Sequence, residues 1–313
     1  MGYVIQRHMP PQPAWLSPNP PDLYGYAAPA RTRPALADAV PGVPLVTVLG
    51  TVRDEAIAFE RSWHVWSRQT GVAPDAVDFL VLDDGSTDDI VEVVRRARAG
   101  SEFGARIRYA RMRPPGAPEQ RSCTLAFNSG VRHLVRTPLV MIQWWDRIPG
   151  SFDHLARLIA PHRKLAGIAT SAVSRHIGGS SSMHEMTPDE LAATLALVDW
   201  RADPTSLDRV AGRIGGHCVP GDASESSGLV IPVAEFEALG GFDERYRERA
   251  GYVNVEFFRR AMQSGLQIVF PGVQNYHQSH PANRVKDHGW LDDPRVMRNG
   301  GADWGIAAPI EVW

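Results

Sequence analysis

The sequence predicts an α/β protein with a mostly parallel central sheet that is flanked by helices. Short apolar runs at 45–49 and 77–82 predict two buried strands, and residues 105–112 are predicted to form a third short strand. The segments between them, 55–70 and 87–99, carry apolar residues at helical spacing. Strands that alternate with helices favour parallel pairing, because each crossover helix returns the chain to the same end of the sheet.

The first two strand–helix units have clear boundaries. The first strand is followed by Gly50, and the loop after it lacks the Gly-x-Gly-x-x-Gly pattern of a dinucleotide-binding enzyme. The second helix begins with Thr87, Asp88 and Asp89 and ends in arginines. Acids near the first turn and cations near the last turn stabilise a helix through its dipole.

Composition excludes several classes of protein. Of the 313 residues, 43% are hydrophobic and 22% are charged, which is typical of a globular domain. A net charge of −2 gives no overall field that would recruit nucleic acid or an anionic membrane. Two cysteines are too few for a disulfide framework, which favours a cytoplasmic setting. No apolar run reaches the roughly 18 residues of a membrane span.

The chain divides into three parts. Ten of the 25 prolines precede Leu45, and proline both fixes φ and removes a donor, so residues 1–43 are predicted to form an extended arm. Residues 44–285 form the α/β domain. Residues 286–313 are polar and turn-rich and are predicted to form an irregular C-terminal arm that wraps over the core or covers an acceptor site.

Two adjacent acids follow the second strand. The apolar run that begins at Phe79 ends in Asp83 and Asp84, and a Gly-Ser-Thr-Asp turn comes next. In a parallel sheet, ligands bind at the carboxyl ends of the strands, so we expect both carboxylates at a cleft and outside apolar surroundings. There they would accept hydrogen bonds from a ribose or a base. The simpler alternative is that Asp84 caps the following helix.

These residues carry a resemblance. V-T-V-L-G-T-V-R-D-E-A at 46–56 and F-L-V-L-D-D-G-S-T-D-D at 79–89 resemble the nucleotide-binding half of family 2 glycosyltransferases, which have the GT-A fold. The resemblance implies that the acids hold the base and ribose of a nucleotide sugar. Carried over, the donor-binding residues are Thr51, Arg53, Glu55, Asp83 and Asp84, with Asp54 in the same loop.

The next two segments extend the likeness. Residues 121–134 are similar to a family helix that begins with arginine, which implies that Arg121 contacts a phosphate and Asn128 lines the sugar site. The alternatives are a surface arginine and an asparagine that packs the helix. Residues 138–150 contain Trp144 and Trp145, which the resemblance places at the donor.

The same strand implies a metal site. Where the family has Asp-x-Asp, this chain has Trp144-Trp145-Asp146, so only the second acid remains as a metal ligand. A hard cation, Mn²⁺ or Mg²⁺, can take further ligands from diphosphate and water. In such enzymes a histidine after the last strand often completes the site. His277 lies nearer that strand than His280, and imidazole favours Mn²⁺ over Mg²⁺.

The general base of inverting relatives is missing. Residues 226–246 are similar to their acceptor-side segment, but the acidic pair that follows there is replaced by Val253 and Asn254. Asparagine cannot take a proton from an acceptor hydroxyl. One alternative is another acid as base, and the candidates are Asp222, Glu225 and Glu256.

Two other interpretations stay open. Asn254, Glu256 and Arg260 also resemble, more weakly, a segment of the polypeptide N-acetylgalactosaminyltransferases. Those enzymes are retaining, and the departing phosphate takes the acceptor proton. The remaining alternative is a catalytically inactive module that binds a nucleotide or a sugar. Between these parts, the Gly/Ser loop after His176 is predicted to be a lid, and 187–200 a capped amphipathic helix.

The expected activity follows from the resemblance. It is transfer of a hexose or an N-acetylhexosamine from a nucleoside diphosphate sugar, most often UDP-linked in this family, to an acceptor hydroxyl. The hydroxyl belongs to a protein, a glycan or a modified nucleic acid, and the residues do not distinguish these three. The predicted catalytic residues are Asn254, Glu256 and Asp222.

Overall fold

The structure is a computed structural model. It describes residues 4–6, 43–118, 123–178, 186–212, 228–244, 264–278, 304–305 and 307–313, with isolated helical positions at 253, 257, 258, 260 and 261.

The described residues form two sheets. The strands are β1 (Val4–Gln6), β2 (Val46–Val52), β3 (Val77–Asp83), β4 (Ile107–Arg111), β5 (Leu139–Trp144), β6 (Arg147–Pro149), β7 (Ile168–Ser171), β8 (Val173–His176), β9 (Leu229–Pro232), β10 (Gln267–Phe270), β11 (Gln274–His277) and β12 (Glu311–Val312). The large sheet has the order β1-β10-β7-β9-β5-β2-β3-β4-β12, and the small sheet has the order β6-β11-β8.

Helices flank the large sheet, with one exception. They are α1 (Ala56–Trp66), α2 (Ile90–Ala99), α3 (Thr124–Leu134), α4 (His154–Ile159), α5 (Pro188–Leu195) and α6 (Val233–Ala238). The exception is α5, which packs in the cluster beside the small sheet. The predicted run β2-α1-β3-α2-β4 is confirmed, and β4, β3, β2 and β5 pair in parallel. β9 runs antiparallel between β5 and β7, which a strand–helix alternation does not predict.

The core on the α1 side of the sheet is aromatic. Phe59 and Trp66 on α1 pack with Phe79 on β3 and with Trp145, and all four side chains are fully buried. Offset and edge-to-face ring pairs add about 0.5–1.5 kcal/mol each to the gain from burial. Gly50 permits this packing, because a Cβ there would lie 2.5 Å from Trp145 Nε1. The opposite face is covered by α3 and α6.

The predicted capped helix is confirmed, but it is shorter than expected. Thr187 and Glu190 form a reciprocal capping box at the start of α5, and the helix ends at Leu195. Trp200 is buried in a separate cluster with Ile148 and Tyr276 of the small sheet. No helix in the described part of the chain has the length and apolar character to cross a membrane.

The C-terminal residues pack on the domain. β12 pairs antiparallel with β4, and the Trp313 ring stacks on Tyr109 with ring centroids 4.8 Å apart. Trp304 is buried between α3 and α6 in the second core cluster. Of the two arrangements expected for this arm, the described residues adopt the one that wraps over the core.

Candidate functional site

Asp83 ends β3 as a fully buried residue. One carboxylate oxygen accepts the backbone N–H groups of Gly85 (3.1 Å) and Ser86 (2.8 Å). The other accepts the Tyr109 hydroxyl and lies 3.3 Å from Arg111 Nε. Burial and the Asp83 carboxylate together raise the pKa of Tyr109 well above its usual range, so it stays a donor. The surroundings of Asp83 are polar, as expected, but the expectation that Asp83 opens onto a cleft is corrected, because the side chain is fully buried and four internal donors converge on it.

Asp84 turns toward the loop after β4. Its carboxylate forms a two-point ion pair with Arg113, with Nε–Oδ1 at 2.5 Å and Nη2–Oδ2 at 2.7 Å. Burial raises the pKa of Asp84 above its usual value, although the Arg113 charge opposes this shift. The alternative that Asp84 caps the next helix is wrong, since the first N–H of α2, on Ile90, is accepted by Asp88 at 3.2 Å.

Arg53, which directly follows β2, also binds the loop after β4. One guanidinium nitrogen donates to the Asp84 carbonyl and another to the Ala117 carbonyl, both at 2.5 Å. Arg113 donates in addition to the Pro118 carbonyl. Two arginines thus hold residues 113–118 against the end of β3. Sequence reasoning missed Arg113 and Tyr109, and the only signal for them was the recurrence of arginine along R-Y-A-R-M-R, residues 108–113.

The two loops that carry the predicted donor residues also bind each other. Asp54, at a left-handed φ of 53°, accepts from Thr87 N (2.7 Å) and Oγ1 (3.0 Å) and from Asp88 N (3.2 Å). Asp88 in return accepts the N–H of Ala56 at 2.8 Å. Burial by itself raises the pKa of Asp54. The hydrogen bonds from Thr87 and Asp88 together lower it by a larger amount, so the pKa lies below its usual value. Glu55 lies beside them and is half-buried.

The side chains of Trp144 and Trp145 lie in different environments. Trp144 is half-buried, lies opposite Thr51 in the β2–β5 register, and meets Phe127 edge-on with centroids 5.0 Å apart. Trp145 has no exposed surface and packs against Phe59 in the core. The expectation that Trp145 contacts the donor is corrected accordingly, because its indole fills the space under α1.

Asp146 and His277, the two residues predicted to bind a metal, lie next to each other in the structure. The Nε2 of His277 lies 2.8 Å from Oδ2 of Asp146, which is itself nearly buried. On the small sheet, His277 stands between Arg147 of β6 and His176 of β8 in the same row. The Nδ1 atoms of His277 and His176 are 2.8 Å apart. Sequence reasoning placed His176 only at the start of a loop.

This donor set fits a divalent cation. Burial, followed by the charge of Arg147, lowers the pKa of His277 to about 3, so its imidazole is neutral at pH 7 and able to act as a ligand. One carboxylate with one imidazole suits Mn²⁺. Among the described residues, no group of three or more His, Cys, Asp or Glu side chains is placed to hold an ion. Such a cation would therefore take further ligands from a bound diphosphate, from water or from elsewhere in the chain.

Asn128 has a structural role. It is fully buried in α3, donates to the Phe242 carbonyl (2.8 Å) and to Glu244 (2.9 Å), and accepts the N–H of Phe242 (2.8 Å). Gly241 has a φ of +66°, and a Cβ there would lie 2.5 Å from Asn128 Oδ1. The prediction that Asn128 lines the sugar site is corrected to the alternative, because its amide locks the Gly-Gly-Phe-Asp-Glu turn to the helix.

The segment that resembles the acceptor side of the family is described in part. Val253, at the first position of the missing acidic pair, is buried in the core. Arg260 is buried as well and donates to the Leu239 carbonyl and, at 2.8 Å, to the Gly241 carbonyl. Several candidates lie outside the described residues: Arg121, Asp222, Glu225, Asn254, Glu256 and His280.

Solved structures identify the fold. GalNAc-T7 with UDP, GalNAc and Mn²⁺ matches at a TM-score of 0.52 and 14% identity, over 79% of this chain and 46% of that one. The mannosyltransferase PcManGT from Pyrobaculum calidifontis, in complex with GDP-Man and Mn²⁺, matches at 0.51 and 18%, over 77% and 59%. TarS 1–349 of S. aureus, in complex with UDP-GlcNAc, matches at 0.50 and 11%, over 76% and 60%.

At these identities the likeness defines a class of fold. The chain has the GT-A-type fold, with a mostly parallel large sheet and a small second sheet. No family model and no curated protein matches the sequence. The chain spans 60% or less of the length of these solved chains.

Proposed function

We propose that the protein transfers a hexose or an N-acetylhexosamine from a nucleoside diphosphate sugar to an acceptor hydroxyl. The observation that carries this proposal is the contact of 2.8 Å between Asp146 and His277, placed directly after β5 in a GT-A-type fold. A carboxylate and a neutral imidazole at the carboxyl end of a parallel strand form a half-built cation site, as a diphosphate substrate requires.

The donor site comprises the loops after β2 and β3. Thr51 lies near the end of β2, Arg53 and Glu55 follow that strand, and Asp84 with its partner loop follows β3. Trp144, across from Thr51, offers its half-buried ring as a stacking surface. We propose UDP as the carrier, because two of the similar structures hold UDP or a UDP-sugar. Arg121 is proposed to contact a phosphate.

Asp146 and His277 are proposed to hold Mn²⁺ or Mg²⁺, with Mn²⁺ favoured by the imidazole. When bound, the cation stabilises the charge that develops on the leaving diphosphate. Two of the similar structures contain Mn²⁺. Trp144 stands where the family has its first acid, so this chain offers one carboxylate at the motif.

The reaction is proposed to retain configuration. The acidic pair of inverting relatives is replaced here by Val253, which is buried in the core, and by Asn254, which cannot act as the base. In a retaining transfer, the bond between the anomeric carbon and the diphosphate oxygen breaks, and the bond to the acceptor oxygen forms on the same face. The departing phosphate takes the acceptor proton. Asn254, Glu256 and Asp222 are the proposed residues around the reacting centre.

The test is a donor panel. The full chain is incubated with UDP-Glc, UDP-Gal, UDP-GlcNAc, UDP-GalNAc and GDP-Man, with Mn²⁺ or with EDTA, and release of the nucleotide is measured. We expect turnover of a UDP-sugar that EDTA abolishes. Calorimetry with UDP and Mn²⁺ runs in parallel. Binding of UDP without turnover of any donor would overturn the enzyme proposal in favour of the binding module.

Stereochemistry and acceptor are tested on the active donor. NMR of the anomeric proton in the first product separates retention from inversion. A serine- or threonine-containing peptide, an oligosaccharide and a hydroxymethylated oligonucleotide represent the three acceptor classes. An inverted product would overturn the retaining proposal and leave the transferase proposal intact.

A further inference from the structure

His277 lies between two polar partners on the small sheet. Its Nε2 lies 2.8 Å from Asp146 Oδ2, and its Nδ1 lies 2.8 Å from Nδ1 of His176. Register fixes the second contact, because His277 of β11 lies directly opposite His176 of β8, and paired residues project from the same face. Both histidines belong to strands, so the contact is set by backbone pairing.

A histidine binds a metal ion only as the neutral imidazole, which carries a proton on one ring nitrogen and a lone pair on the other. The two contacts of His277 therefore decide which nitrogen keeps the proton. With the proton on Nε2, His277 donates to Asp146 and its Nδ1 accepts from the Nδ1–H of His176. With the proton on Nδ1, His277 donates to His176, and the lone pair on Nε2 faces the carboxylate. The histidine pair supports both arrangements, because each Nδ1 is able to donate or to accept.

A cation requires the tautomer of His277 that has its proton on Nδ1. An imidazole ligand binds a metal ion through a lone pair, and the hydrogen bond of the other ring nitrogen sets which nitrogen that is. We propose that His176 is a positioning residue, which accepts the Nδ1–H of His277 and so leaves Nε2 available to a divalent cation held with Asp146. This inference rests on the metal site of the proposed function. Nothing in it depends on transfer of a sugar.

The polar nature of His176 is the feature to test. An apolar ring at this position would remove the acceptor for the Nδ1–H and favour the tautomer that donates to Asp146. The side chain of glutamine carries both a donor and an acceptor, and is able to serve either tautomer. If the imidazole acted only by filling space, phenylalanine would replace it better than glutamine. The two substitutions therefore give opposite results under the two interpretations.

The experiment is a calorimetric titration of Mn²⁺ alone into the full chain. We expect His176→Phe to weaken Mn²⁺ binding about 10–100-fold, the usual cost of losing a partner behind a metal ligand. His176→Gln should bind close to wild type. His64→Phe is the matched control and should leave the affinity unchanged, because His64 lies on α1 and contacts the Arg201 carbonyl.

The outcomes separate the two proposals. If the wild-type protein binds no Mn²⁺, the proposed metal site fails, and the inference fails with it. If the wild type binds Mn²⁺ and both His176 variants match it, or both lose affinity equally, only the role of His176 is overturned. Should His176→Phe not fold, His176→Leu against His176→Asn repeats the comparison with smaller side chains.

Discussion

Asp84 and Arg113 form a two-point ion pair that joins the end of β3 to the loop after β4. Both side chains are largely buried, and Arg113 also donates to the Pro118 carbonyl. The pair therefore sets the shape of one wall of the proposed donor site. A guanidinium that donates to both carboxylate oxygens is a geometry that lysine cannot reproduce.

A double-mutant cycle measures this pair. Asp84→Asn, Arg113→Met and the double variant are compared by urea unfolding, and we expect a coupling free energy of about 1–3 kcal/mol. Arg113→Lys should recover little of it. UDP affinity in the folded variants reports whether the loop also shapes the donor site. Additive single effects would show that the pair contributes no coupling.

We expect Asp83 to contribute mainly to the free energy of unfolding. Asp83→Ala leaves two backbone N–H groups and the Tyr109 hydroxyl without their acceptor, so we expect a loss of roughly 3–5 kcal/mol in the free energy of unfolding. Tyr109→Phe, which removes one donor, should cost only about 0.5–1.5 kcal/mol. Denaturant unfolding checks both values. A stable Asp83→Ala variant with weakened UDP binding would instead place Asp83 at the nucleotide.

Substitution of Asp146 should abolish the use of a metal and leave nucleotide binding intact. In Asp146→Asn, we expect metal-stimulated transfer to be lost while UDP still binds in the presence of EDTA, because base and ribose are held by other loops. His277→Ala should weaken Mn²⁺ affinity less, since a neutral imidazole supplies less charge than a carboxylate. Trp144→Asp restores the family motif and should strengthen Mn²⁺ binding. The proposed metal site would be wrong if EDTA leaves the activity of the wild type intact and Asp146→Asn is as active as the wild type.

Two buried histidines should make the fold sensitive to acid. Burial lowers the pKa of His154 to about 3 and that of His162 to about 4, from 6.5. Below pH 6.5 the unfolded chain takes up protons that the folded chain refuses, so stability is full above that pH and falls as the pH drops toward 4. Each histidine contributes a slope of about 1.4 kcal/mol per pH unit in that window.

His162→Gln isolates one of the two contributions. Unfolding free energies measured between pH 4 and 7 should show a slope that is shallower by about 1.4 kcal/mol per pH unit in the variant. Comparison with wild type cancels the carboxylates that titrate in the same range. Parallel curves for the two proteins would show that His162 does not titrate differently on folding.

Gly241 should tolerate no side chain. Its φ of +66° and the 2.5 Å approach to Asn128 Oδ1 make Gly241→Ala both strained and overpacked, and we expect a cost of about 2–4 kcal/mol. Gly100→Ala is the control, because Gly100 has a right-handed backbone and its Cβ would lie 3.4 Å from the nearest atom. It should change stability by less than about 1 kcal/mol. Equal effects at the two glycines would contradict the account of the Asn128 turn.

The periodic part of the fold was readable from the sequence because it is local. The strand 77–83, the helix after it and the Thr187–Glu190 cap each depend on residues a few positions apart. Hydrophobic spacing and cap chemistry act over that range, so they predict the elements and their alternation. The pairing of Asp146 with His277 was also predicted, but from the family resemblance and not from periodicity.

The roles of individual side chains were decided by tertiary contacts. Asp83 was expected at a cleft, yet Tyr109 and Arg111 from the neighbouring strand reach its carboxylate because β3 and β4 pair in parallel register. Asn128 and Gly241 meet across more than a hundred residues, and no local pattern encodes that contact. The sequence by itself determined which segments are strands and helices. Only the folded chain decided which polar groups satisfy each other internally and which face a ligand, since that depends on every partner brought within hydrogen-bonding distance.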